Sequence, residues 1–511
     1  AETGAPASSG SGNNLPLEQV ALGDVRIVNG TLNYVDDTTG ASQKVRKINV
    51  ALALENLASP LGAKGDLGWK SEKISFDGTL TSPKQVMESQ PANLNVKLSS
   101  RLFAASYTGK ISLADVLRLS GGVKADVSSA RRLAGWLGTD LPPSQGFGPL
   151  KFSGNMQTEG TRHTLTNARL GLDGATATGT VTVLTGGTRP KVTADLKLSE
   201  LNLNTYLFDG ASPAPGAKKA APANKAEPET INDLLADPEA APGTRVKGYS
   251  QRTGWSNDPI DLTSLGAVDA NAKLQVGRLL FKKIKVDRTD LDVKLAAGKM
   301  RVDFTDIRLY EGHGRGVVTL AGAKNPTVGA NFETTNISAL PLLTDAADIK
   351  FISGKGNLTL AVAGRGPSQF AIIETLNGNA AFKFNDGAVI GLNIPAAYRA
   401  LSQGRISNIK SAPSEKTDFS ALTATFKIAK GIATNTDLQM LSPLLRVTGS
   451  GRIMLPPRQV DYTVRPKVVG DLAGQGGAAD LGGVEIPVRI TGTFDKLSYQ
   501  PQLGEVLSNP D

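Results

Sequence analysis

The stretch that decides the fold is VTGSGRIML, Val447 to Leu455. Its two glycines admit two readings, a loop that cradles a phosphate or a pair of gaps along one face of a strand. Counted from Leu445, the odd positions are Leu445, Val447, Gly449, Gly451, Ile453 and Leu455. The even positions are Arg446, Thr448, Ser450, Arg452 and Met454. The glycines share parity with the aliphatic residues, which is the period-two pattern of a strand with one apolar face. A loop does not impose that phase. The phosphate reading also lacks the six-residue glycine signature, and Pro456 and Pro457 stand where an anion-binding helix has to begin.

The phase recurs along the chain. In FISGKGNLTLAV, Ile352, Gly354, Gly356, Leu358, Leu360 and Val362 share a face opposite Ser353, Lys355, Asn357 and Thr359. In LYEGHGRGVVTL the same holds for Tyr310, Gly312, Gly314, Gly316, Val318 and Leu320. Shorter versions are Ile74, Phe76, Gly78, Leu80 and Val488, Ile490, Gly492, Phe494. Glycine weakens a strand but permits a bend, a bulge or the close approach of another backbone. Repeated on the apolar face, it either curves a packed sheet or leaves an open apolar trough, and spacing alone does not choose between the two.

Composition agrees with sheet. Of 511 residues only 5% are aromatic and 56 are Gly, so any core is built from Leu, Val, Ile and Ala. The length exceeds one ordinary core. A net charge of +9 permits attraction to an anionic lipid surface or a nucleic acid. With no Cys there is neither disulfide nor thiolate chemistry. No apolar run approaches the roughly 18 residues that span a bilayer.

The chain divides into five segments. Residues 1–14 read as an expression scar and flexible segment, and residues 15–208 as an N-terminal β region. Residues 209–257 form an Ala/Pro/Lys linker with a short helix expected at Thr230 to Ala236. Residues 258–502 form a C-terminal β region, and 503–511 a tail. Asn-Gly, Asp-Gly or Lys-Gly pairs inside VRIVNGTLNYV, ISFDGTLTS, ARLGLDGATATGTVTV, AAFKFNDGAVIG and FKIAKGIAT predict hairpins. The expected fold is mainly β: a long curved, largely antiparallel sheet forming an open groove or partly closed structure. Short helices are predicted at Ala130 to Leu137, Ile337 to Ile349, Ser368 to Leu376 and Ile394 to Ser402. The Lys-rich FKKIKVDRTDLDVKL suits a protected sheet edge.

Enzymatic constellations are missing from the pattern. His163 and His313 are the only histidines, and neither has a partner at metal-ligand spacing. No GxSxG elbow or GxxxxGK[ST] loop occurs. Asp36 and Asp37, and Asp66, Asp77, Asp173 and Asp386, read as turn residues that bond backbone. The cations Arg278, Lys282, Lys283, Lys285 and Arg288 alternate with Asp287, Asp290 and Asp292, the pattern of a solvated strand face. Beyond the single Phe281, no repeated aromatic pattern interleaves with them to stack single-stranded bases.

The segment SLGAVDANAKLQVGRLLFKKIKVDRTDLDVKLAAGKMRVDFTDIRLYEGHGRGVVTLAG, Ser264 to Gly322, resembles the C-terminal region of the AsmA family of bacterial envelope proteins. The likeness continues through SGKGNLTLAVAGRG, ETLNGNAAFKFNDGAVIGLNI and VRITGTFDKLSYQP, and covers nearly all of residues 260–502. VRIVNGTLNYVDDTTG and LKFSGNMQTEGTRHTLTNARLGLDGATATGTVTV look like segments of larger AsmA-like proteins. The resemblance implies a noncatalytic periplasmic protein tethered to the inner membrane by an upstream helix. It is similar to bridge-like lipid-transfer proteins that present an apolar trough to acyl chains. The expected partners are phospholipids, the inner membrane and envelope-assembly proteins, with no nucleic acid, no cofactor and no metal. Val318, Leu320, Leu358, Leu360, Val362, Val447, Ile453 and Leu455 are the expected lining. Gly314, Gly316, Gly354, Gly356, Gly449 and Gly451 are expected to bend the sheet or give clearance. The alternatives are a spacer or docking scaffold for outer-membrane assembly, and a module for polysaccharide or nucleic acid.

Overall fold

The computed structural model describes residues 22–35, 42–141, 144–207, 254–391, 393–394, 414–443, 445–468, 485, 487–494 and 496–502. Among them, twenty-four strands form one open sheet. It begins at Leu22–Val35 and ends at Lys496–Pro501, and each of these outer strands pairs with a single neighbour. Between them the chain meanders, each strand antiparallel to the one before it. The exception is a parallel seam, where Lys191–Leu198 lies beside Asp269–Val276 in an eight-residue register. Through that seam the two β regions form one continuous sheet. Three short strands, Leu201–Asn202, Leu279–Phe281 and Ile284–Val286, make a separate small sheet.

The alternation explains the strands. In Glu72–Leu80, Ile74, Phe76, Gly78 and Leu80 are half-buried while Lys73, Ser75, Asp77 and Thr79 are exposed. In Leu445–Met454, Leu445, Val447 and Gly449 are buried while Arg446 and Thr448 are exposed. The opening stretch is therefore strand, with its glycines on the apolar side. Bulges interrupt the ladders between Ile27 and Gly30, Phe304 and Ile307, and Asn435 and Leu438. Each inserts extra residues into one strand, which bends it and increases its twist without moving the apolar set to the other face.

The hairpin expectations divide. Asp173–Gly174 and Lys430–Gly431 are two-residue turns with positive φ at both positions. Asn29–Gly30, Asp77–Gly78 and Asp386–Gly387 instead lie inside the continuous strands Leu22–Val35, Glu72–Leu80 and Asn377–Ile390. Asn29 and Asp386 keep a left-handed φ there, so the same chemistry kinks a strand instead of reversing it. Other reversals carry no glycine: Lys70–Ser71 and Tyr310–Glu311 have positive φ at both residues. Asp66 and Asp77 likewise sit within strands, near Lys73 and Lys64. The FKKIKVDRTDLDVKL segment is not an edge. Its first part belongs to the small sheet, and Arg288–Ala296 lies between two neighbours in the large one.

Three of the expected helices appear where Ser residues start them. The Ser129 side chain accepts from Arg132 N at 3.3 Å to open Ala130–Leu137, which stops at Gly138 with φ 101°. Ser368 caps Gln369–Glu374 in the same way. Ser338 precedes Ala339–Ala347, and Pro341 is tolerated because it falls in the first turn. A fourth helix, Pro83–Met87, starts with Ser82 and Pro83. The expected helix at Thr230 to Ala236, most of that at Ile394 to Ser402, and the Asp36–Asp37 turn lie outside the described residues.

Two fully buried clusters lie on the apolar face, both toward one margin of the C-terminal strands. One joins Val276, Leu279, Val286, Leu291, Ile307, Leu309, Ile337 and Leu342. The other joins Ala339, Phe384, Phe419, Leu422, Met440, Leu445 and Val447. The Ala339–Ala347 helix contributes to both and so plugs the sheet there.

Candidate apolar binding face

Residues directly opposite on neighbouring strands point to the same side, so cross-strand rows trace each face. One row starts at Val25 and runs through Leu52, Ala63, Gly78, Val96 and Tyr107 to Val123. At the bulge between Ser153 and Asn155 the neighbouring row of the same face takes over, from Gly121 through Met156, Leu165 and Val181 to Ala194, across the seam to Ala272, and through Val293, Val302, Val318 and Ala330 to Val362. Gly378, Ile428 and Ala433 carry it on to Ile453. Three of the expected lining residues thus stand in one row. Leu358 and Leu360 lie on the adjacent rows of the same face, opposite Phe382 and Ala380. Leu320 faces Met300 and Val328.

Most of these residues are half-buried, Ala194, Ile428 and Ala433 being buried, and among the described strands the main contacts run to neighbours within the sheet. The exposed polar residues alternate with them on the other side. The surface left is a strip of Val, Ile, Leu, Ala and Phe at half exposure, about 110 Å long at the usual 4.8 Å between strands.

Three expected members depart from it. Leu455 falls in the turn after Leu445–Met454, and its carbonyl accepts from Trp255 Nε1 at 2.6 Å. Gly354 precedes the strand Lys355–Arg365. Val447 is 6% exposed and sealed inside the buried cluster with Met440 and Phe384, so it offers no open surface.

The glycines do not leave empty space. A Cβ placed on Gly356 would strike the carbonyl oxygen of Lys383 on the next strand. At Gly316 it would meet the ring of Phe332. At Gly449 it would lie 2.7 Å from Leu438 Cδ2 and 3.0 Å from Tyr462 Cε1. Gly314 and Gly451 are bounded in the same manner by Glu333 and Asp461 carbonyls. The missing side chains admit neighbouring backbone and rings, which is close packing and curvature.

Several polar groups on this face are tied up internally, whereas the fully buried Thr289 hydroxyl, opposite Val276 and Ile307, has no hydrogen-bond partner among the described residues. His163 sits between Thr158 Oγ1 at 3.1 Å and Thr185 Oγ1 at 3.3 Å, while His313 is exposed on the other face. Asn435, 1% exposed, donates from Nδ2 to the Thr425 carbonyl at 2.8 Å and to Asp437 at 2.6 Å, and accepts from the Tyr462 hydroxyl. The Thr425 hydroxyl, chiefly, holds the Asp437 carboxyl below its ordinary range. Burial pushes the Tyr462 hydroxyl up. This network fastens the bulge between Asn435 and Leu438 and was not readable from spacing, because its members come from three strands. Burial likewise raises Tyr310 to about 12, and its hydroxyl donates to Asp345 at 2.8 Å. Of the basic residues after Gly277, Arg278 faces Glu200 at 3.7 Å and Arg288 faces Asp290 at 3.8 Å. Among the described residues no group of three or more His, Asp or Glu is arranged to hold a metal ion, and no helix is long and apolar enough to cross a membrane.

Comparison with known proteins gives two findings. The family model of the AsmA family matches residues 30–438. Protein AsmA of Escherichia coli is 24% identical over 159 residues, which is 30% of this chain and 26% of that relative. The aligned part therefore spans about a quarter of the relative's length.

Proposed function

This chain belongs to the AsmA family, and we propose that it is a noncatalytic envelope protein whose apolar sheet face receives the acyl chains of phospholipids. The observation that carries the reading is that the apolar residues keep to one face from Val25 to Ile453, through bulges and across the parallel seam. A sheet that only needed a core has no reason to keep one uncovered face apolar over so many strands, since each exposed apolar residue forgoes about 25 cal/mol per Å² of burial.

The mechanism is passive. Headgroups stay in water while acyl chains displace water from the Val, Leu and Phe rows. At about 0.8 kcal/mol per buried CH₂, a chain of about 16 carbons has a gross gain on the order of 10 kcal/mol before ordering and lost bilayer contacts are subtracted. The proposed setting is the periplasm of a Gram-negative bacterium, with tethering to the inner membrane and a role in phospholipid transport or outer-membrane lipid homeostasis. A second reading, a filled spacer or docking scaffold, draws support from the plugged C-terminal margin, where Phe384 and Leu445 are at most 1% exposed.

Native mass spectrometry after mild purification separates the two. Lipid carriage expects bound phospholipid that is lost when Ala125→Arg places a charge on the half-buried face opposite Phe152. Lipid-free protein that also fails to take up lipid from vesicles would leave only the spacer.

A further inference from the structure

The N-terminal strands carry an excess of positive charge, although Asp77 stands opposite Lys97 at one end of its row. Between Ala92 and Leu198 there are thirteen Lys and Arg against six Asp and Glu, an excess of seven out of nine for the whole chain. Cross-strand register orders part of that excess. Lys97 stands opposite Ser106, Ser106 opposite Lys124, and Lys124 opposite Ser153. Ser153 stands opposite Arg169, Arg169 opposite Thr178, and Thr178 opposite Lys197. A cation therefore occurs on every second strand with a hydroxyl between, at intervals of about 9.6 Å over roughly 30 Å.

All four cations are exposed. Among the described residues none of them forms an ion pair, unlike nearby Lys151, whose Nζ lies 3.6 Å from Asp126. The aromatic residues of these strands, Phe103, Tyr107 and Phe152, lie opposite Val127, Val123 and Ala125 on the apolar face. The basic face thus lacks the rings that stack single-stranded bases and the aromatic anchors that fix protein partners. Unpaired cations alternating with hydroxyl donors match phosphate oxygens spread over a surface.

We propose that this face, Lys97–Lys124–Arg169–Lys197, is a docking surface for an anionic phospholipid bilayer, recognised through its headgroup phosphates. The inference rests on the envelope reading. It adds a headgroup contact on the side of the sheet away from the acyl-chain rows, so the protein would lie with its polar back on a membrane while its apolar face stays free.

The test is co-sedimentation of the full chain with phosphatidylcholine vesicles with and without phosphatidylglycerol, at low and high salt. Binding is expected only with phosphatidylglycerol and to weaken with salt. Replacing all four cations (Lys97→Ser, Lys124→Ser, Arg169→Ser, Lys197→Ser) should reduce partitioning about fivefold per cation, several-hundred-fold together. Removing the same charge elsewhere (Lys299→Ser, Lys383→Ser, Lys427→Ser, Lys496→Ser) should change it far less. Equal losses in the two variants, binding to neutral vesicles, or a preference for an oligonucleotide over vesicles would each overturn the proposal. Phospholipid co-purifying with the fourfold variant reports on the acyl-chain face alone, so the two readings fail separately.

Discussion

The N-terminal and C-terminal halves of the sheet share the same alternating pattern and bury it to different extents. Among the described residues, five apolar side chains are buried before residue 208, three of them alanines, against twenty-one after residue 254. The small sheet covers part of the C-terminal strands with Leu279 and Val286, and the rest of the difference lies in the helix that leaves each set of strands. After Ile337 the chain turns into an apolar helix that drops onto Phe384, Leu422 and Met440. After Val127 it turns into Ala130–Leu137, whose Trp136 meets Trp69 edge-on at 4.7 Å but buries no residue fully. One half is a sheet with a core at its margin, and the other is closer to bare sheet. Stability is thus expected to reside in the C-terminal half and accessible apolar surface in the N-terminal half.

The sharpest challenge to that contrast is a pair of truncations. Phe384→Ala removes a ring that is 1% exposed and should cost about 3–5 kcal/mol, whereas Leu98→Ala on the half-buried N-terminal face should cost about 1 kcal/mol in urea unfolding. Equal costs would dissolve the distinction. A smaller effect is expected from glycine. Gly356→Ala forces a methyl into the Lys383 carbonyl and should destabilise by about 1–3 kcal/mol. Gly122→Ala has its nearest neighbour, the Thr108 carbonyl, 3.9 Å away and should stay within about 0.5 kcal/mol of the parent. Tyr310→Phe removes one hydroxyl with two partners and should cost about 1 kcal/mol.

Alkaline pH probes both halves at once. Burial raises Tyr206 and Tyr310 from 10.0 to about 12. A folded-state value above the unfolded one means that the neutral hydroxyl is favoured by folding. The associated stability is complete below pH 10 and is lost as pH climbs toward 12. Thermal melts across that window should show the midpoint falling, with a shallower fall in Tyr310→Phe; a midpoint independent of pH would contradict the buried environment of both rings.

Much of this was legible in the sequence, for a physical reason. Alternation and the parity of Gly449, Gly451 and Ile453 are local properties, and a strand expresses them directly. The reversals were only half legible. Asp173–Gly174 and Asn29–Gly30 carry the same left-handed preference, and whether it makes a turn or a bulge depends on the partner strand. Tyr310–Glu311 turns without glycine because the flanking register demands it. The plug was not legible at all, since Ala339 and Val447 come together only once the strands that separate them in the chain have paired. Ser82–Pro83 is a helix start that local chemistry does announce, but a helix of five residues leaves too little apolar periodicity to draw the eye to it.

The parallel seam has a kinetic consequence. Everywhere else in the large sheet a strand pairs with one close behind it in the chain, so loop closure is short and zipping is quick. Such an array behaves nearly as a one-dimensional chain of neighbour couplings, in which ordering starts at any hairpin and spreads. Joining Lys191–Leu198 to Asp269–Val276 is the long-range step. Each half is free to zip on its own clock, and the full-length strip exists only once that single slow bond between two finished ribbons has closed.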